Sequence, residues 1–176
     1  MNQNINKILW VDDEIDLLES HIIYLTEKGY LVSTANSGED AILFCDNNKV
    51  DVVLLDEMMT GIDGITTLKK IKENNPDLPI IMVTKNEEEC FMEEALGEKI
   101  SYYLTKPVNP SQILMACKKV LDNKQISTDR LIRDFLEFIK NIGTFVGLSG
   151  MGVTLAGILL YLISKNERPI KEKYDI

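Results

Sequence analysis

Residues 52–64 read VVLLDEMMTGIDG, four apolar residues running into a carboxylate, Asp56, and then into a loop punctuated by Gly61 and Gly64. An apolar run without polar alternation suits a strand buried on both faces. Similar strand-length runs recur as KILWV (7–11), YLVSTA (30–35), VDVVLL (50–55), PIIMV (79–83) and YYL (102–104). Helical patterns lie between them. Ile15, Leu18, Ile22 and Leu25 fall on one helical face that Gly29 closes, and a second helix follows Ser37. Ile65, Leu68 and Ile71 mark a third, ended by Asn74-Asn75-Pro76, and residues 86–96 form an acidic fourth. Asn109 as N-cap with Pro110 in the first turn opens a fifth, its inner face Ile113, Cys117, Val120 and Leu121.

Five strand and helix alternations over residues 1–122 predict an α/β domain, a doubly wound five-stranded parallel sheet covered by helices on both faces. In such sheets, functional groups gather at the carboxyl ends of the strands. Asp12 and Asp13 follow the first strand, Asp56 the third, Thr84 the fourth and Lys106 the fifth, so all five are expected on one rim.

Composition narrows the function. The chain of 176 residues has a net charge of −9, and residues 1–122 carry 22 Asp/Glu against 11 Lys/Arg. An acidic body lacks the Lys/Arg excess that neutralises phosphate backbones, which argues against a nucleic-acid partner. Cys45, Cys90 and Cys117 are widely spaced within apolar helical patterns and read as small core residues of a reducing compartment. The N-terminus lacks the pattern of a signal peptide, so the body is expected in the cytoplasm. His21, the only histidine, lies among the residues of the first helix and does not read as a phosphohistidine or a metal ligand, and Trp10 reads as a packing residue.

Carboxylates brought together repel, and each favours protonation unless a cation shares the site. Mg²⁺ is the natural occupant, because it takes oxygen ligands and commonly joins one or two carboxylates to a phosphate. Lys106 could then neutralise a phosphoryl oxygen and the Thr84 hydroxyl could bind another. Asp56 is the candidate nucleophile, since a carboxylate attacking phosphorus gives an acyl phosphate.

ILWVDDE, VVLLDEMMTGIDG, IIMVT and YYLTKP, in this order and spacing, resemble the receiver domain of two-component response regulators over about residues 5–122. The resemblance implies a flavodoxin-like fold in which Asp56 accepts a phosphoryl group from a sensor histidine kinase. It implies that Asp13 and Asp56 ligate Mg²⁺ directly, Asp12 through water, and Met58 through its backbone carbonyl. Thr84 becomes the switch hydroxyl, Tyr103 the aromatic rotor and Lys106 the phosphate partner, with a cis Lys106–Pro107 bond. A downstream protein or a second copy would dock on the fourth helix, fifth strand and fifth helix. More narrowly, WVDDEIDLL, LDEMM, MVTKNEEE and LTKPVNPSQIL resemble receivers of PorX-type regulators of the type IX secretion system, whose large phosphatase-like domain has no room here. Thr60, Lys85 and Tyr102 depart from the wider pattern, with proline, a small residue and aspartate the commoner occupants.

Residues 123–141 read as an amphipathic connecting helix, with Leu131, Phe135, Phe138 and Ile139 against Arg130, Arg133, Asp134 and Glu137. Between Lys140 and Lys165 there is no charge. Residues 142–163 would span about 33 Å as a helix, enough for a hydrocarbon core of about 30 Å. A single transmembrane helix anchored in the inner membrane is therefore expected, followed by a polar tail over 164–176. The rival expectation is a membrane adaptor that uses the receiver fold without any phosphate signal. No enzymatic chemistry beyond transfer to and from Asp56 is expected.

Overall fold

The structure, a computed structural model, describes residues 5–85 and 100–145. Five strands form one sheet: β1 (Lys7–Val11), β2 (Leu31–Ala35), β3 (Val52–Asp56), β4 (Ile80–Thr84) and β5 (Tyr102–Thr105). Their spatial order is β2-β1-β3-β4-β5, and every pairing is parallel. Each strand lies within about two residues of the sequence expectation, the usual latitude for element ends.

Alternation along the strands divides the core in two. Ile8, Trp10, Val52 and Leu54 face one side and pack with Leu25, Ile113, Cys117 and Val120. Leu9, Val11, Val53 and Leu55 face the other and pack with Ala41, Cys45, Leu68 and Ile71. The helices behind these residues are α1 (Glu19–Glu27), α2 (Gly38–Asn47), α3 (Gly64–Asn74) and α4 (Pro110–Phe145). α1 and α4 cover the first face, α2 and α3 the second. Central strands thus lose both faces to helices, which is why β3 and β4 are buried at every position.

Local chemistry sets the helix starts. Ser37 Oγ accepts the Asp40 amide at 3.2 Å, and Asp63 Oδ1 accepts the Thr66 amide at 2.6 Å. Asn109 and Gln112 form a reciprocal capping box, each side chain meeting the other's amide at 2.9 Å. The first helix differs from its sequence expectation: Ile15–Leu18 is a 3₁₀ turn before α1 begins. The Ile15 amide donates to Asp12 O and the Leu17 amide to Glu14 O, so the chain winds tightly as it leaves the strand end.

Asp63 gives a direct test of capping. Its hydrogen bonds from Thr66, with lesser help from Lys69, hold its carboxyl below the usual aspartate range. A depressed folded value contributes stability that is present above the unfolded value and is lost as pH falls through the folded one. Asp63→Ala is expected to cost about 1 kcal/mol at pH 7. In denaturant titrations the difference from wild type should close toward pH 3.

Compact units comprise Met1–Lys124 and Gln125–Ile176. α4 passes the expected 122–123 junction without a break, ending at Phe145. In its second part Leu131 and Leu136 are exposed and Phe135 is half-buried. Among the described residues no helix is long and apolar enough to cross a membrane. The span expected over 142–163 lies outside the described residues from 146 onward, as does the expected helix over 86–96 with Cys90.

Candidate functional site

The rim forms where the strand order reverses. β1 and β3 are neighbours, with Val11 opposite Leu55, so Asp12 and Asp56 leave the sheet side by side. Asp12 is held through both its backbone and its side chain: its amide donates to Ala35 O at 3.2 Å, and its Oδ1 accepts the Glu14 amide at 2.9 Å. Asp13 is partly exposed, and its Oδ2 accepts the Thr60 amide at 2.9 Å, tying the loop after β3 to the end of β1. Ligand atoms of Asp12, Asp13 and Asp56 all lie within 4.8 Å of one another.

Lys106 closes the cluster from the far side. Its amide donates to Thr84 O at 2.7 Å, which fixes the chain beyond β5 against the end of β4. Its Nζ then reaches Asp12 Oδ2 at 2.9 Å and Asp56 Oδ2 at 3.0 Å. Asp12 and Asp56 are 1% and 3% exposed, so neither charge is relieved by bulk water. Burial pushes the Asp56 carboxyl above the usual range, opposed by the Lys106 hydrogen bond and charge and reinforced by Asp12. Burial pulls the Lys106 ammonium down, but the two aspartates outweigh it and hold it above the ordinary lysine value.

One ammonium against three carboxylates leaves negative charge in a buried site. That imbalance, with three oxygen donors in reach of a common point, fits a hard divalent cation. When bound, Mg²⁺ supplies charge neutralisation at the acids and at a phosphate oxygen. Lys106 competes for the same oxygens. Lys106→Ala is therefore expected to tighten Mg²⁺ binding roughly fivefold and to slow phosphoryl uptake about tenfold. Calorimetric titration and a phosphorylation time course check the two effects.

Of the remaining residues singled out in the sequence, Thr84 ends β4 at 1% exposure, in register with Thr105. Tyr103 lies opposite Met82 and packs half-buried against the core beneath α2 and α3. The Lys106–Pro107 bond is cis. Met58 lies in the loop two residues beyond Asp56, its side chain exposed, and Lys85 is exposed just past Thr84.

Two features were not read from the sequence. Gly64 approaches the acceptor strand so closely that a Cβ there would stand 2.3 Å from the Asp56 carbonyl oxygen. The glycine was visible, but the approach depends on how the loop folds back. His21 Nε2 lies 3.1 Å from the carbonyl of Val108, 87 residues away, a pairing with no local signal.

Residues 8–118 match the response regulator receiver domain. The chain belongs to that family. It is 35% identical over 127 residues to the heme response regulator HssR of Staphylococcus haemolyticus, covering 72% of this chain and 56% of that protein. It is 33% identical over 123 residues to the alkaline phosphatase synthesis transcriptional regulatory protein PhoP of Bacillus subtilis, covering 69% and 50%. The chain spans about half the length of these relatives. A CheY-like receiver domain protein from Methanospirillum hungatei superposes with a TM-score of 0.64 at 28% identity, covering 70% of this chain and 99% of that one. TrrA of Thermotoga maritima, solved in complex with Mg²⁺-BeF, gives 0.60 at 30% identity, covering 66% and 100%. The receiver therefore has the flavodoxin-like fold of CheY. Receiver domains bind Mg²⁺ at their acidic pocket and work with a sensor kinase.

Proposed function

We propose that this receiver takes a phosphoryl group onto Asp56 from a sensor histidine kinase in a Mg²⁺-dependent phosphorelay. The observation that carries the reading is the Lys106 ammonium shared between Asp12 and Asp56 at 2.9 and 3.0 Å, with Asp13 completing the acidic cluster. An Asp56 oxygen attacks phosphorus, the P–N bond to the kinase imidazole breaks, and that imidazole leaves with the bonding pair. Asp13 and Asp56 would hold the metal directly, with the Met58 carbonyl beside them and Asp12 acting through water. Lys106 holds a phosphoryl oxygen, and Thr84 takes another as Tyr103 turns inward. The chemistry ends with hydrolysis of the adduct, and no further substrate is turned over. Incubation with Mg²⁺ and a small acyl phosphate should add one phosphate to the chain. Absence of an adduct with every donor, including kinase, would overturn the reading.

Output through protein contacts is favoured by the acidic body, 22 Asp/Glu against 11 Lys/Arg over residues 1–122. By the family resemblance a downstream protein or a second copy docks on residues 86–96, which lie outside the described residues, together with β5 and the first part of α4. The likeness of WVDDEIDLL and LTKPVNPSQIL to PorX-type receivers supports placing it in that subgroup.

The uncharged stretch from 142 to 163 supports an inner-membrane anchor, with the receiver on the cytoplasmic side where its phosphodonor is made. Membrane fractionation of the full chain against a version ending at Lys124 decides this. Recovery of the full chain in the soluble fraction removes the anchor.

A further inference from the structure

His21 lies outside the acidic rim, yet it joins the two chain segments that deliver Asp12 and Lys106. It sits half-buried on α1, with Nε2 3.1 Å from the Val108 carbonyl. A carbonyl only accepts, so Nε2 carries the hydrogen. The Nδ1 side faces the Ser20 hydroxyl at 3.4 Å. The ring stands edge-on to Trp10, with centroids 6.0 Å apart and an interplanar angle of 89°. Trp10 is 1% exposed and precedes Asp12 by two residues, while Val108 follows Lys106 by two.

We infer that His21 is a positioning residue for Lys106: clamped by Trp10, it donates to the Val108 carbonyl and fixes the segment that aims the ammonium at Asp12 and Asp56. Among the described residues few other restraints act on this segment. The Lys106 amide is anchored to Thr84 O, and the next backbone bonds are those of the Asn109 cap. Between them the His21 donor holds the Val108 carbonyl, and the Val108 side chain packs against the first core. Without the donor, the Lys106 side chain is held less firmly against its two carboxylates. A cation then competes more easily for those oxygens, and a phosphoryl group finds its partner less well placed.

The phosphoryl readout rests on the proposed function, whereas the metal readout does not. His21→Phe keeps an aromatic ring against Trp10 and removes the donor; His21→Gln restores an N–H near the same carbonyl. By calorimetry, His21→Phe should bind Mg²⁺ roughly threefold more tightly than wild type and take up phosphate from an acyl phosphate about fivefold more slowly. His21→Gln should fall within about twofold of wild type in both. In a Lys106→Ala background, His21→Phe should change neither, because its effect passes through the ammonium. His21→Leu serves the same comparison if thermal unfolding shows the Phe variant not to be folded. Wild-type Mg²⁺ affinity in the donor-less variant, or an undiminished effect without Lys106, overturns the inference. If wild type itself takes up no phosphate, the phosphoacceptor reading fails while the Mg²⁺ titrations still decide the role of His21.

Discussion

Asp56→Asn is expected to abolish phosphoryl uptake, with no adduct in the mass spectrum after incubation with Mg²⁺ and an acyl phosphate under conditions that fully label wild type. The amide is no nucleophile toward phosphorus, and among the described residues no neighbouring acid stands in its place. Asp12 is committed to Lys106 and the Glu14 amide, and Asp13 to the Thr60 amide. The same variant should be more stable, because Asp56 is charged, buried and close to two further carboxylates. Its folded pKa is raised, mainly by burial. A raised carboxylate costs stability above its folded pKa, and the cost disappears as pH falls below the unfolded value. Asp56→Asn should therefore gain about 1 kcal/mol at pH 7, the scale of relieving one imperfectly compensated buried charge. The gain should shrink toward pH 4 in denaturant titrations. A persistent adduct, or a loss of stability at neutral pH, would contradict the geometry of the cluster.

The sheet was legible in the sequence because burial on both faces leaves an unmistakable trace. VVLL and IIMV have no polar position to spare, and each ends on a polar residue, Asp56 or Thr84, delivered still buried to the rim. Asp12 and Lys106 were legible for the same reason, since parallel strands deliver their next residues to one end. Less could be read where the outcome depended on segments meeting in space. The 3₁₀ turn at Ile15–Leu18 follows from the hydrogen bonds that accompany Asp12, while the apolar spacing of Ile15, Leu18 and Ile22 reads equally well as plain helix. His21 carried no signal beyond its place in the first helix, because its partner Val108 is distant in sequence. In α4 the capping box at Asn109 marks the start, but residues 122–123 carry no glycine or proline to stop it.

Gly64→Ala is expected to damage both the fold and the site. The Gly64 amide donates to Glu57 O at 2.9 Å, drawing the loop back under the end of β3. An added Cβ would meet the Asp56 carbonyl oxygen at 2.3 Å and the Glu57 Cα at 2.8 Å. Both are backbone atoms, one at the end of the acceptor strand and one in the residue that follows it, so no side chain can swing aside, and relief requires moving Asp56 or unwinding the first turn of α3. The expected cost is about 3 kcal/mol, the upper end of the usual range for overpacking. Mg²⁺ affinity should fall with it, because Asp56 moves relative to Asp12 and Asp13. Gly61→Ala separates conformation from contact. Gly61 has φ +87°, and its nearest neighbours are Glu39 carboxylate oxygens at 3.5 and 3.6 Å. Its substitution should cost about 1 kcal/mol through backbone strain alone and leave Mg²⁺ affinity near wild type. Chemical denaturation and Mg²⁺ titration of the two variants side by side provide the measurement. Equal stabilities, or a metal affinity untouched in Gly64→Ala, would mean that the loop and the acceptor strand move independently.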